Sequence, residues 1–177
     1  RERLIELIRR EKKNKLAKKE ARIIIKANSL TDVVLINELY EASKSGVEID
    51  LIIRGICALR PGIKGLSENI RVRSIIGRFL EHSRILYFAN GGGEAGEVYI
   101  GSADLMPRSC DRRVEVITPI LDPGIRNYLK ETVLEAYLKD EVNARILQSD
   151  GTYKRLMSRA KGGFDSQMYF VGLETPS

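Results

Sequence analysis

The chain has 177 residues, 43% hydrophobic and 31% charged, a soluble mix long enough for one domain with its own core and too short for two of ordinary size. No stretch is long and apolar enough for a membrane-spanning helix, and one His with two Cys falls short of the ligands a structural zinc needs. The net charge is +6, but residues 1–20 carry nine Lys/Arg against four Glu and hold nearly all of it, so a basic body coated in nucleic acid is not indicated.

The first twenty residues are charged where a signal peptide would be apolar. Cys57 and Cys110 lack the spacing of a disulfide framework and are expected to be reduced, in a cytoplasmic protein. The chain opens at Arg1 inside a helical pattern, as expected of a piece of a longer protein.

Residues 2–19 form a basic amphipathic pattern with a thin stripe of Leu4, Ile5, Leu7, Ile8 and Leu16, expected as a solvated connector helix. The β-branched run Arg22–Lys26 predicts a buried strand. Ser29 and Asp32 suit a capping box that opens a helix over 31–44, which Gly46 stops. Val47 to Ile53 is a second apolar strand, so a parallel strand–helix–strand unit with a right-handed crossover is expected. Gly55, Pro61, Gly62 and Gly65 mark a long loop over 54–70, followed by a short helix ending near Glu81. Strands over 85–88 and 98–100 flank the turn residues Asn90–Gly93, a hairpin rather than a phosphate loop, since no helix follows the glycines. Val114–Ile117 is a further strand. Asp122 and Pro123 start a helix to about Lys139, and 144–147 adds a last short strand. Periodicity fades after Asp150, and 149–177 is expected to be a tail. The alternation predicts an α/β fold, a mixed sheet with helices on both faces, whose chemistry sits at strand carboxyl ends.

The only histidine, His82, stands directly before an apolar strand, with Arg84 two residues on and on the same face of an extended segment. The hairpin can return Ser102 and Asp104 toward it. An imidazole beside a guanidinium suits an oxyanion: one moves protons near neutral pH, the other holds phosphate oxygens in pairs. Arg54 closes the second strand, where a crevice ligand would lie. Arg60 and Lys64 are expected as solvated loop charges. Tyr40, Tyr87 and Phe88 belong to the core, and Asp111, Arg112, Arg113 and Glu115 suit an ion-pair network.

His82-x-Arg84 followed by strand, turn, strand and Gly101-Ser102-x-Asp104 resembles one half of the phospholipase D pattern, with Arg in place of Lys and no Asp five residues later, where Ala89 stands. Longer segments resemble the carboxyl-terminal domain of bacterial polyphosphate kinases: Lys26-x-Asn28-Ser29-Leu30-x-Asp32, Ile53-Arg54-Gly55-Ile56-Cys57, Gly77–Arg84, Ser102-Ala103-Asp104 and Arg113 to Pro123. The resemblance runs over about 5–148; Leu105, Pro107 and Ser109 depart from it. It implies a phospholipase D-like fold with a connector at 1–20, the domain at 21–148 and a tail at 149–177. It further implies reversible transfer of the terminal phosphate of ATP to inorganic polyphosphate through a phosphohistidine. The magnesium ligands and the phosphoacceptor histidine are expected outside this chain. So is the other half of the site, which would leave the chain inactive by itself within an oligomeric parent. On this resemblance Arg54 contacts ATP and His82 is the second active-site histidine. Arg84 binds phosphate beside them, and Ser102 and Asp104 support.

Two other readings use the same residues. A phosphodiesterase or nuclease would pair two copies of His82 across a dimer, and a non-catalytic module would bind a polyanion through 2–19.

Overall fold

The isoleucine run of β1 (Arg22–Ala27) sits at the centre of the molecule, with Ile23, Ile24 and Ile25 all buried. Alternate side chains of a strand face opposite ways, so such a run needs apolar cover on both faces. The computed structural model describes residues 1–156 and 162–173, without the side chains of Cys110 and Asp111. Among these residues β1, β2 (Glu48–Ile53), β3 (Ile70–Ile75), β4 (Arg84–Phe88), β5 (Glu97–Gly101), β6 (Ile117–Pro119), β7 (Ala144–Leu147) and β8 (Tyr153–Arg155) form one sheet in the order β6-β5-β4-β1-β2-β3-β7-β8. β1, β2 and β3 are parallel; the remaining neighbours pair antiparallel.

On one face α1 (Glu2–Leu16) and α2 (Val33–Lys44) press Leu4, Leu7, Ile8, Leu35 and Leu39 onto Ile23, Ile25, Leu51 and Ile53. On the other, a helical rod buries Leu134 and Tyr137 against Ile24, Ile52, Ile75 and Ile85. The rod comprises α4 (Pro123–Asn127), a π-helical stretch (Tyr128–Leu134) and α5 (Glu135–Lys139). Asp122 caps it, accepting from the Ile125 amide at 2.8 Å, with Pro123 at its first position. Each fully buried Leu or Ile contributes about 1.5–3 kcal/mol relative to exposure. This two-sided cover is the expected mixed sheet with helices on both faces.

Several expectations change. The amino-terminal helix is packed, not solvated. Three of its cations pair with acids of neighbouring elements: Arg9 with Glu38 and Lys12 with Glu41 on α2, and Arg10 with Glu97 on β5 at 2.9 Å. The helix ends at Leu16, and Lys18 takes a positive φ of 57°. Asp32 itself caps α2, accepting from the Val34 and Leu35 amides at 3.0 and 3.1 Å, and no capping box forms with Ser29. The segment expected as a short helix is β3: Ile70, Val72 and Ser74 are buried while Arg71 is exposed, a strand period. β6 begins at Ile117, three residues late, and Val114 is wholly exposed. The expected tail contributes β8 and α6 (Ser166–Gly172); its residues 157–161 and 174–177 lie outside those described. The 54–70 loop is pinned: buried Ser67 donates to the Arg60 carbonyl at 2.6 Å, and Arg60 Nη1 donates to the Ser149 carbonyl at 3.0 Å. Tyr87 and Phe88 are core residues, whereas Tyr40 is half-buried and its hydroxyl accepts from the Arg60 amide. Cys57 is a free thiol and burial pushes its pKa up; the reading of Cys110, like that of Asp111, lies outside the described side chains.

Candidate active site

One edge of the sheet collects the polar residues. Parallel β1 and β2 end together, Ala27 opposite Ile53, so Asn28 and Arg54 emerge side by side. β4 runs the other way and begins there, which brings His82 and Arg84 to the same edge. β5 is antiparallel to β4 and ends there, just before Asp104.

Five residues then close a ring of hydrogen bonds. Arg54 Nε donates to Asn28 Oδ1 at 2.8 Å, and its Nη2 lies 3.4 Å from His82 Nδ1. The Asn28 amide and Nδ2 donate to the two oxygens of Asp104 at 2.8 and 3.2 Å. Arg84 donates to Asp104 Oδ2 at 3.2 Å and to the His82 carbonyl at 2.9 Å. His82 is exposed and Arg54 half-buried, so the pair faces outward. Arg84 is turned inward, 14% exposed and committed to Asp104 and the His82 backbone. Ser102 does not join the ring: its hydroxyl donates to Glu115 and accepts from the Val116 amide. Arg113 lies 3.8 Å from Glu115, the part of the expected ion-pair network that the described side chains form.

Behind the ring lies a buried charge that sequence reasoning missed. Lys26, 2% exposed, donates to Ser83 Oγ at 2.9 Å, pairs with Glu81 at 3.0 Å and lies 4.6 Å from the Tyr137 ring centroid. Burial pulls its pKa down; Glu81 opposes this, while Arg54 and Arg84 add to it. Asn28 was also missed as a link between Arg54 and Asp104. The one available signal was a Lys and an Asn closing an otherwise apolar strand. Gly55 belongs to the same construction: its amide donates to the Asn28 carbonyl at 2.8 Å, and a Cβ there would sit 2.8 Å from that oxygen.

Two hollows adjoin the pair. One of about 380 Å³ is lined by Arg54, Gly77, Arg78, Phe79 and Glu81, and one of about 450 Å³ by Phe79, His82, Tyr137, Gln167 and Phe170. The residues here do not fit a magnesium ion. Asp104 spends both oxygens on Asn28 and Arg84, and no group of three or more His, Cys, Asp or Glu suited to a metal occurs among the described residues.

Burial pushes the Asp104 carboxyl up, but the hydrogen bonds from Arg84 and Asn28 outweigh it and hold the group below its usual range. A depressed carboxyl stabilises the fold above its unfolded pKa of about 3.9, and that stability is lost as pH falls through the folded value. Asp104→Asn is therefore expected to lower the melting temperature at pH 7, with the gap to wild type narrowing below about pH 4. A gap independent of pH would show that ionisation of Asp104 contributes nothing.

The fold and the polar edge define a phospholipase D-like α/β domain. The phospholipase D family member Nuc from Salmonella typhimurium superposes with a TM-score of 0.56 at 18% identity, over 82% of this chain and 89% of that one. The chain belongs to the polyphosphate kinase C-terminal domain 2 family, whose model matches residues 1–167. It is 57% identical to the polyphosphate kinase of Thermosynechococcus vestitus over 155 residues, 88% of this chain and 21% of that protein. The crystal structure of polyphosphate kinase from Porphyromonas gingivalis matches with a TM-score of 0.89 at 39% identity, covering 97% of this chain and 26% of that one. The chain thus spans about a fifth to a quarter of the length of these relatives.

Proposed function

We propose that this domain is one half of the active site of a polyphosphate kinase, and that it acts on the terminal phosphate of ATP and on the end of an inorganic polyphosphate chain. The observation that carries this reading is the Arg54–His82 pair, held 3.4 Å apart on an exposed sheet edge by a ring of partly buried hydrogen bonds. Phosphoryl transfer needs positioning and charge stabilisation more than elaborate covalent chemistry. A guanidinium fixed at Nε by Asn28 supplies both to phosphate oxygens.

A guanidinium can only donate hydrogen bonds. In contact with Arg54, His82 Nδ1 is therefore the acceptor, and the ring proton of the neutral imidazole sits on Nε2. That tautomer donates a hydrogen bond from Nε2 to a phosphate oxygen; it does not attack phosphorus. The attacking histidine is supplied by chain outside this domain. There the bond between the terminal phosphorus and its bridging oxygen breaks, an N–P bond forms and ADP leaves. The end of polyphosphate then displaces the histidine and takes the phosphoryl group. Within this division Arg84 and Asp104 hold the pair. No helix among the described residues is long and apolar enough to cross a membrane.

The test is an assay of the 177-residue chain with ATP, magnesium and a polyphosphate primer, resolved on a gel. The chain by itself is expected to make no polyphosphate, because half the site is missing. Synthesis by the isolated chain would overturn the half-site reading, and cleavage of DNA by a dimer of it would favour a phosphodiesterase instead. The polyanion-arm reading is disfavoured by α1, which packs on the sheet and engages three of its cations, Arg9, Lys12 and Arg10, with Glu38, Glu41 and Glu97.

A further inference from the structure

His82 is carried by a segment with no regular structure of its own. Between β3 and β4, residues 76–83 lack strand or helix, and 76–80 are exposed. Such a loop does not by itself hold an imidazole in register with Arg54. What holds it comes from the far end of the chain. Gln167, in the first turn of α6 and 3% exposed, accepts from the Phe79 amide at 2.9 Å and donates to the Phe79 carbonyl at 2.8 Å. One side-chain amide thus satisfies both polar groups of one loop residue, as a neighbouring strand would. The same Nε2 donates to Glu81 at 2.8 Å, the residue before His82, and Glu81 pairs with Lys26.

Gln167 is itself fixed. Buried Asp140 accepts from the Ser166 amide and hydroxyl at 2.8 and 2.6 Å, and Asp165 caps α6 while accepting from Asn143 Nδ2 at 2.8 Å. Gly77 makes room for the contact: a Cβ there would sit 2.5 Å from Gln167 Oε1 and 2.8 Å from Asn143.

We infer that Gln167 is a positioning residue that clamps the His82 loop onto the sheet edge, so that α6 sets the distance between His82 and Arg54. Its bearing on phosphoryl transfer rests on the reading given under Proposed function; the clamp itself does not. Glutamine is the residue the geometry demands. Alanine removes both bonds to Phe79, and glutamate, nearly isosteric, loses the Nε2 donor and places a second carboxylate against Glu81.

Because His82 is the only histidine, its ring resonances report the clamp without ambiguity. In the 177-residue chain, Gln167→Glu and Gln167→Ala are expected to shift or broaden the His82 ring signals while strand amides of β1 and β2 keep theirs. Met168→Ala, at an exposed position one residue on, leaves the ring signals in place. Unchanged ring signals in both Gln167 variants would overturn the clamp. Wild-type protein supplies a measurement that needs no variant to fold: the Phe79 amide is expected to exchange with solvent far more slowly than its loop neighbours Arg78 and Leu80, and equal rates would also overturn it. In a full-length polyphosphate kinase carrying this chain, Gln167→Glu is expected to lower kcat about tenfold or more with KM for ATP little changed. Wild-type kcat would remove the catalytic consequence. His82→Ala is assayed alongside. If that variant keeps full activity, the functional reading fails, and the ring signals still decide the clamp.

Discussion

Replacing His82 with alanine in a full-length polyphosphate kinase carrying this chain is expected to lower polyphosphate synthesis by about 10²–10³-fold, with Arg54→Ala of similar size. Loss of one preorganised donor to developing charge costs about 2.7–4 kcal/mol in the transition state. Both side chains face outward, so neither truncation opens the core. Folding, read by circular dichroism and melting temperature, is expected to survive both. The loss should fall on kcat more than on KM, since an interaction that strengthens in the transition state is the one removed. The pair is expected to behave as a unit: Arg54 holds Nδ1, so the double variant should lose much less than the product of the two single losses. Wild-type turnover in either soluble, folded variant would take that residue out of the site. Arg54→Lys is a sharper probe. A lysine offers no planar fork to hold Asn28 and reach His82 together, so little recovery is expected.

The largest effect on stability is expected at Lys26. Lys26→Met removes one partner of a buried pair and leaves the Glu81 carboxylate, whose side chain is 9% exposed, without its cation. Breaking such a pair costs about 3–5 kcal/mol, and a urea titration would show it as a lower midpoint. Adding Glu81→Gln to Lys26→Met neutralises the stranded carboxylate and is expected to recover a substantial part of the loss. A Lys26→Met protein within about 0.5 kcal/mol of wild type would mean the pair contributes no net stability. Synthesis should fall as well, because Lys26 also holds the Ser83 hydroxyl beside His82.

The parts of the molecule legible in the sequence are those where pattern and local chemistry agree. The Ile23–Ile25 run, the apolar stretch ending at Ile53, the Asn90–Gly93 turn and the Asp122–Pro123 helix start each carry a local signal, and each forms near the expected place. The failures have local causes too. In Ile70–Ile75 the alternation is a strand period, but Asp50 and Glu48, the acids that hold Arg71, lie on β2 and are invisible in the local window. The cations of residues 1–16 suggest a solvated arm because the acids that meet Arg9, Arg10 and Lys12 sit on α2 and β5, up to 87 residues away. Beyond Asp150 the sequence offers no period, and β8 and α6 exist through pairing with β7 and through the bonds of Asp140.

The site divides the same way. His82 and Arg54 were identifiable as chemistry, one as the only imidazole and the other as a guanidinium closing an apolar strand. Ser102 sits at the right sequence distance but turns to Glu115. Arg84 shares a face with His82 but spends its guanidinium on Asp104. Asn28 and Lys26 stood only within a segment of family resemblance and Gln167 gave no signal, since each acts through partners remote in the chain.

By itself, then, the order of residues determined the α/β alternation, because that follows from hydrophobic period and turn chemistry over short windows; its longer segments carried the family resemblance, and its composition singled out His82 and Arg54 as candidates. The tertiary structure alone decided which face the pair shares, which arginine is free to meet a phosphate and what holds the imidazole in place. Those depend on hydrogen bonds and desolvation between groups that approach only when the sheet has closed, and the energies of such contacts vanish beyond a few ångströms.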